Sequence, residues 1–171
     1  MSRLRGMFSK ALFTSKKRTA LFLAIGMLAL GTVVFIASPV SAEVNRVTFP
    51  TNLERLVHYN TVKRGEVTEH LLTSQEAIDA VKLGKAIPSG THVVLVDYRD
   101  GKVFRYFVME KKDGWGADFA PARRTGDWQF QHFKPDKTIN MSENTARCQS
   151  CHQARDDEQH LYTFNDMKRF K

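Results

Sequence analysis

The chain holds only two cysteines, Cys148 and Cys151, and His152 follows them directly. Few chemistries suit that spacing. A disulfide across so short a loop constrains the unfolded chain little and gives His152 no task. A redox dithiol also uses C-x-x-C, but normally at a helix start that follows a strand. Zinc asks for about four ligands, and no second ligand pair stands nearby in the sequence. The pattern that uses all three residues is attachment of a c-type haem. Cys148 and Cys151 form thioethers to the vinyl groups, and His152 ligates the iron from the proximal side. Residues three apart share a helix face, and the next residue can turn its imidazole to the metal. One motif implies one haem c per chain, covalently attached.

The compartment bears on this choice. Arg3, Arg5, Lys10, Lys16, Lys17 and Arg18 precede an apolar stretch at residues 20–37, and Ser38-Pro39 and "VSA" at 40–42 follow it. That is the layout of a secretory signal. The apolar stretch is also long enough to serve as an uncleaved membrane anchor. Either way residues 43–171 are expected outside the cytoplasm, in the periplasm or an equivalent exported compartment. The whole chain carries a net +8 from 26 basic and 18 acidic residues. Six of the bases lie in residues 1–42 with no acid, leaving 20 against 18, a net +2. The basic pI is thus largely a targeting feature and argues for no nucleic-acid partner. Residues 43–171 suit a single domain with a real core.

Several elements can be read around the motif. "TNLERLVHYNTV" reads as a short helix capped at Thr51 or Asn52, with Leu53, Leu56 and Val57 inward. "TSQEAIDAVKLGK" reads as a helix with a Thr73–Glu76 capping box, buries Ala77, Ile78 and Val81, and ends at Gly84. "THVVLVDY" and "KVFRYFVME", joined by "RDG", form a β-hairpin. "DWQFQHF" alternates as a half-buried strand. "SENTARCQSCHQAR", capped at Ser142, is the helix that carries the haem motif, and "HLYTFNDMKRF" closes the chain against the sheet. The expected fold class is α+β: an antiparallel β-sheet with packed helices and the motif on a C-terminal helix.

A sixth iron ligand has candidates in Met109, Met141, Met167, His58, His70, His92, His132 and His160. Met109 on its apolar strand and His132 between aromatic neighbours are more often core residues than ligands. Trp115, Trp128, Phe104, Phe107 and Phe130 suit an apolar lining and suit a core equally well.

"FPTNLERLVHYN", "TSQEAIDAVKLGKAIPSGTHVVLVDY", "GDWQFQHF" and "CQSCH", in that order, resemble the cytochrome P-460 family over residues 47–165. The resemblance implies an antiparallel sheet with helices and a homodimer. Founding members oxidise hydroxylamine on a c-haem cross-linked to a lysine. The cytochromes c-prime-beta lack that bond and bind gases such as nitric oxide at a five-coordinate iron. Cys148, Cys151 and His152 match the attachment motif. The cross-linking position, five residues after the glycine of "SGT", is Leu95 at the haem edge. Lys82, Lys85 and Lys102 fall outside that strand. A distal carboxylate on the next strand corresponds to Glu110, whose plainer reading is a solvated residue ahead of "KKDG".

The resulting expectation is an exported mono-haem cytochrome that takes a small gaseous ligand such as nitric oxide. The alternatives are an electron-transfer cytochrome with a redox partner protein, or an oxidoreductase acting on hydroxylamine or peroxide. Enzymatic activity stays open at this point, although hydroxylamine oxidation is not expected without the cross-link.

Overall fold

The computed structural model describes residues 45–171. The expected leader at 1–42 lies outside them. Five strands form one antiparallel meander in the order β1-β2-β3-β4-β5: β1 Val57–Arg64, β2 Val67–Thr73, β3 His92–Arg99, β4 Lys102–Lys111 and β5 Trp128–Phe133. Three short helices complete the domain: α1 Gln75–Lys82, α2 Ala146–His152 and α3 Phe164–Arg169. The fold class is α+β.

Tight turns fix the registers. Between β3 and β4, Asp100 and Gly101 take φ of 50° and 72°. Those are the two left-handed residues of a type I′ turn, whose twist matches the flanking strands. Between β1 and β2, Gly65 takes φ 58° in a turn that pairs Arg64 with Val67.

The pleat sends alternate residues to opposite faces. On one face Val94, Val96, Tyr106, Val108 and Phe133 form a core with Val47 and Trp115. The segment leading into β1 straps this face. Phe49 meets Tyr106 and Phe133 edge-on at 5.0 and 5.3 Å. The strap is pinned by Arg46 N–H to Gln129 Oε1 (2.8 Å) and Thr48 N–H to Glu110 Oε2 (2.9 Å). The opposite face packs against α1, α3 and the chain before α3. Ile78, Val81, Leu161 and Met167 are at most 1% exposed there. Burying an aliphatic side chain of this size contributes about 1.5–3 kcal/mol.

Three local readings need correction. Residues 51–62 are not a helix: a 3-10 turn at Leu53–Arg55 leads into strand β1. Leu53, Leu56 and Val57 have helical spacing, but the β-branched and aromatic residues that follow pair with β2, a strand the sequence reading did not include. α1 is capped by Ser74, whose hydroxyl accepts from Ala77 N–H, and not by Thr73. The Thr73 hydroxyl donates instead to the carbonyl of His92. Its other end follows expectation: Gly84 takes φ 65°, and the N–H groups of Gly84 and Lys85 bond to Val81 and Ala80 in a Schellman closure. Finally, α2 begins after Thr145, and the hydroxyl of Ser142 bonds to Asn140 Oδ1 without capping it.

Candidate functional site

The face of the sheet that carries α1 and α3 is only partly covered. Cross-strand pairing lays its side chains out in rows. The first row is Val62, Glu69, Asp97 and Arg105; the second is Leu71, Leu95, Phe107 and His132; the third is Thr73, Val93, Met109 and Phe130. Over these rows lies a cavity of about 600 Å³, bounded from above by Glu143, Asn144, Arg147, Cys148, Cys151, His152 and Leu161–Thr163. That volume falls within the range of cofactor pockets, about 300–1,000 Å³. Leu95 is in the middle strand yet only half-buried, while its neighbours Val94 and Val96 on the other face are 0% and 4% exposed. A sheet centre that leaves leucine and phenylalanine open on one face is built to receive an apolar occupant.

α2 presents the chemistry. Cys148, Cys151 and His152 lie at i, i+3 and i+4 on one helical face, and all three line the cavity. The helix is held from behind by Gln149, 3% exposed, whose Oε1 accepts from Arg123 at 2.6 Å. His152 stands against Phe130, with ring centroids 4.9 Å apart, and meets Tyr162 edge-on at 5.1 Å. Its Nδ1 is 2.6 Å from the carbonyl oxygen of His160. A carbonyl only accepts, so the proton sits on Nδ1 and Nε2 keeps a free lone pair. Burial lowers the pKa of His152, which favours the neutral, ligating form, although the His160 bond opposes this. Burial also raises the Cys148 thiol to about 11. Redox-active cysteines have lowered values, so this environment does not suit a dithiol catalyst. Among the described residues no three histidine, cysteine or acidic side chains group as a ligand set for a bare metal ion. His152 thus offers one donor, which suits a metal already held by a macrocycle.

The family model described as Cytochrome P460 matches residues 52–163, well over half of the chain. The chain belongs to the cytochrome P460 family. No curated protein matches it. Membership makes this a haem-binding cytochrome, and the cavity over the sheet, with His152 on its wall, fits the haem. The cytochrome P460 match begins just before β1 and ends at Thr163, so it spans the whole sheet and α2.

Within this cytochrome P460 domain Leu95 lines the cavity between Leu71 and Phe107. Glu110 does not. On β4 the cavity-facing residues are Arg105, Phe107 and Met109, so the next residue points to the strapped face. There Glu110 is 1% exposed, accepts from Thr48 N–H and lies 2.9 Å from Lys112 Nζ. Its carboxylate therefore lies away from the cavity, and it is not the solvated residue read from the sequence. Burial pushes its pKa up, but the bonds from Thr48 and Lys112 outweigh this and hold it below the usual value. Of the methionines and histidines weighed as sixth ligands, Met109 and His132 line the cavity. Met167 is fully buried, Met141 is 67% exposed, His58 stacks on His70, and His92 lies 3.3 Å from Glu110. Phe107 and Phe130 line the cavity, Trp115 belongs to the other face, Trp128 is core, and Phe104 lies outside under Arg99.

The sequence reading missed the polar rim. Arg64, Glu69, Arg105, Glu143 and Arg147 all line the cavity. Arg105 lies 3.0 Å from Asp97 and 3.4 Å from Glu143, and Arg64 lies 3.0 Å from Glu69. His132, 6% exposed, has its Nδ1 3.7 Å from Glu143 and its Nε2 3.6 Å from Cys148 Sγ. Strict alternation along β4 places Arg105 with Phe107 and Met109. That signal was available, but a charged residue in the first row reads as solvent-facing until β2 is recognised beside it.

Proposed function

We propose that this protein is an exported mono-haem cytochrome whose haem is joined through Cys148 and Cys151, ligated by His152, and open to small neutral gases such as nitric oxide. The observation that carries this reading is the apolar run of the second row, Leu71, Leu95 and Phe107, ahead of His132, facing the wall that bears His152. The bound haem supplies the iron at which a gas ligand coordinates. The protein's part is to orient it and to set what surrounds the ligand. Leu95 and Phe107 offer no hydrogen bond, so a strongly polarised ligand gains little there while a neutral diatomic is tolerated. No lysine is among the described residues lining the cavity, and Leu95 has no nucleophilic atom. Both observations favour the branch without a third covalent bond, and hydroxylamine oxidation is accordingly not expected. Arg64, Arg105 and Arg147 supply cations for the haem propionates. In this reading the protein works in the periplasm, cut from or anchored by its N-terminal segment, as a homodimer.

Met109 and His132, as cavity-lining donors, favour a second reading: a six-coordinate electron carrier that serves a redox partner. An absorption spectrum of the ferrous protein with and without carbon monoxide, then with nitric oxide, separates the two. Rapid, complete conversion on adding gas supports the open site. A low-spin spectrum that does not respond supports the carrier.

A further inference from the structure

Between α2 and α3 the backbone does something costly. Gln159 and His160, neither of them glycine, take φ of 51° and 63° in succession. Left-handed backbone is unfavourable for such residues and persists only where the surroundings over-determine it. The surroundings here do so. The Gln159 carbonyl accepts from the indole N–H of Trp128 at 3.0 Å, and Trp128 is 1% exposed. The Gln159 side chain accepts from Ile87 N–H at 2.8 Å and donates to the Lys85 carbonyl at 3.0 Å. The His160 N–H donates to Arg155 O at 2.6 Å. The His160 ring, 8% exposed, returns to the helix that carries the motif, its Nδ1 3.2 Å from the His152 carbonyl. What all this holds in place is one atom: the carbonyl oxygen of His160, 2.6 Å from His152 Nδ1.

We propose that the Gln159–His160 turn, clamped by Trp128 and by the loop at Lys85–Ile87, is the positioning device of the axial histidine. It aims the His160 carbonyl at His152 Nδ1 and thereby sets both the orientation of the ring and the electron donation of Nε2 to the iron. The inference rests on His152 being the iron ligand. A hydrogen bond accepted from Nδ1–H raises the basicity of the ligating nitrogen. A stronger donor favours ferric iron, so loosening the turn shifts the equilibrium toward ferrous. Gln159 and Trp128 never touch the metal; they act through the His160 carbonyl.

The test compares Gln159→Gly, which accepts the left-handed backbone but removes both side-chain anchors, with Trp128→Phe, which removes the indole donor. Gln75→Ala on the exposed face of α1 is the control. In haem-loaded protein both variants should lower the iron–histidine stretching frequency of the ferrous state. They should also shift the ferric/ferrous equilibrium toward ferrous by about tenfold, or about 59 mV for one electron. Gln75→Ala should do neither. Loss of thermal stability alone, with frequency and potential unchanged in both variants, overturns the inference. If the purified protein carries no haem, the functional reading fails separately. The imidazole ¹⁵N spectrum of the metal-free chain then decides the role of the turn. A single Nδ1–H tautomer of His152 in wild type that becomes mixed in Gln159→Gly supports it; the same tautomer in both overturns it.

Discussion

Replacing Glu110 by glutamine tests which face of β4 belongs to the haem. Glu110 is 1% exposed on the strapped face, accepts from Thr48 N–H at 2.9 Å, and pairs with Lys112 at 2.9 Å. Glutamine keeps the volume and removes the charge. A hydrogen bond to a charged group contributes about 1.5–3 kcal/mol and a neutral one about 0.5–1.5, so weakening two contacts costs about 2 kcal/mol. With about 2.1 cal/mol/K of unfolding entropy per residue over roughly 130 residues, Tm falls by about 7 °C. The assay is thermal unfolding at pH 7, alongside the ferrous spectrum and its carbon monoxide titration. The pKa of Glu110 is depressed in the folded state, so its contribution is present above the ordinary carboxylate value and is lost as pH falls through the lowered one. The difference between wild type and variant should therefore hold from pH 7 to about pH 5 and shrink in stronger acid. Spectrum and gas affinity should not change. An unchanged Tm with altered gas binding would return Glu110 to the distal pocket and refute the face assignment.

Two further outcomes follow from the same geometry. Burial lowers the pKa of His132 and of His92 despite the opposing charges of Glu143 and Glu110, so the unfolded chain binds more protons below about pH 6.5. Stability measured by urea unfolding should fall as pH drops through that range, by up to about 1.4 kcal/mol per pH unit for each histidine. His132→Phe should flatten the slope, and a slope equal to wild type contradicts the burial argument. Met167, 0% exposed where α3 meets the core, should cost about 2–5 kcal/mol on replacement by alanine, and a loss under 1 kcal/mol would mean that α3 is not docked as described.

The Cys148, Cys151 and His152 motif was readable because its pattern is local: three residue types at fixed spacing need nothing from the rest of the chain. The β3–β4 hairpin was readable for a similar reason, since Asp100-Gly101 between two β-branched runs states the turn and both strands at once. β1 and β2 were harder. β2 places Glu69 toward the cavity and Thr68 and His70 on the other face, so neither side of it is plainly apolar. The alternation that marks a half-buried strand is blurred when one face borders a cavity with a charged rim. β1 was masked by Leu53, Leu56 and Val57, whose spacing imitates a helix running into the first residue of the strand. Glu110 shows the same limit in a single residue. A lone carboxylate on a strand is assigned to a face by parity, and only the pairing of Phe107 with Leu95 and His132 fixes that parity.

The intact mass of the purified chain under denaturing conditions tests the central claim most directly. The account predicts the polypeptide plus one haem that survives acid–acetone extraction, joined at Cys148 and Cys151. No further loss of hydrogen is expected, because Leu95 gives no third bond. A polypeptide mass without haem, with both cysteines free to alkylate, would contradict it.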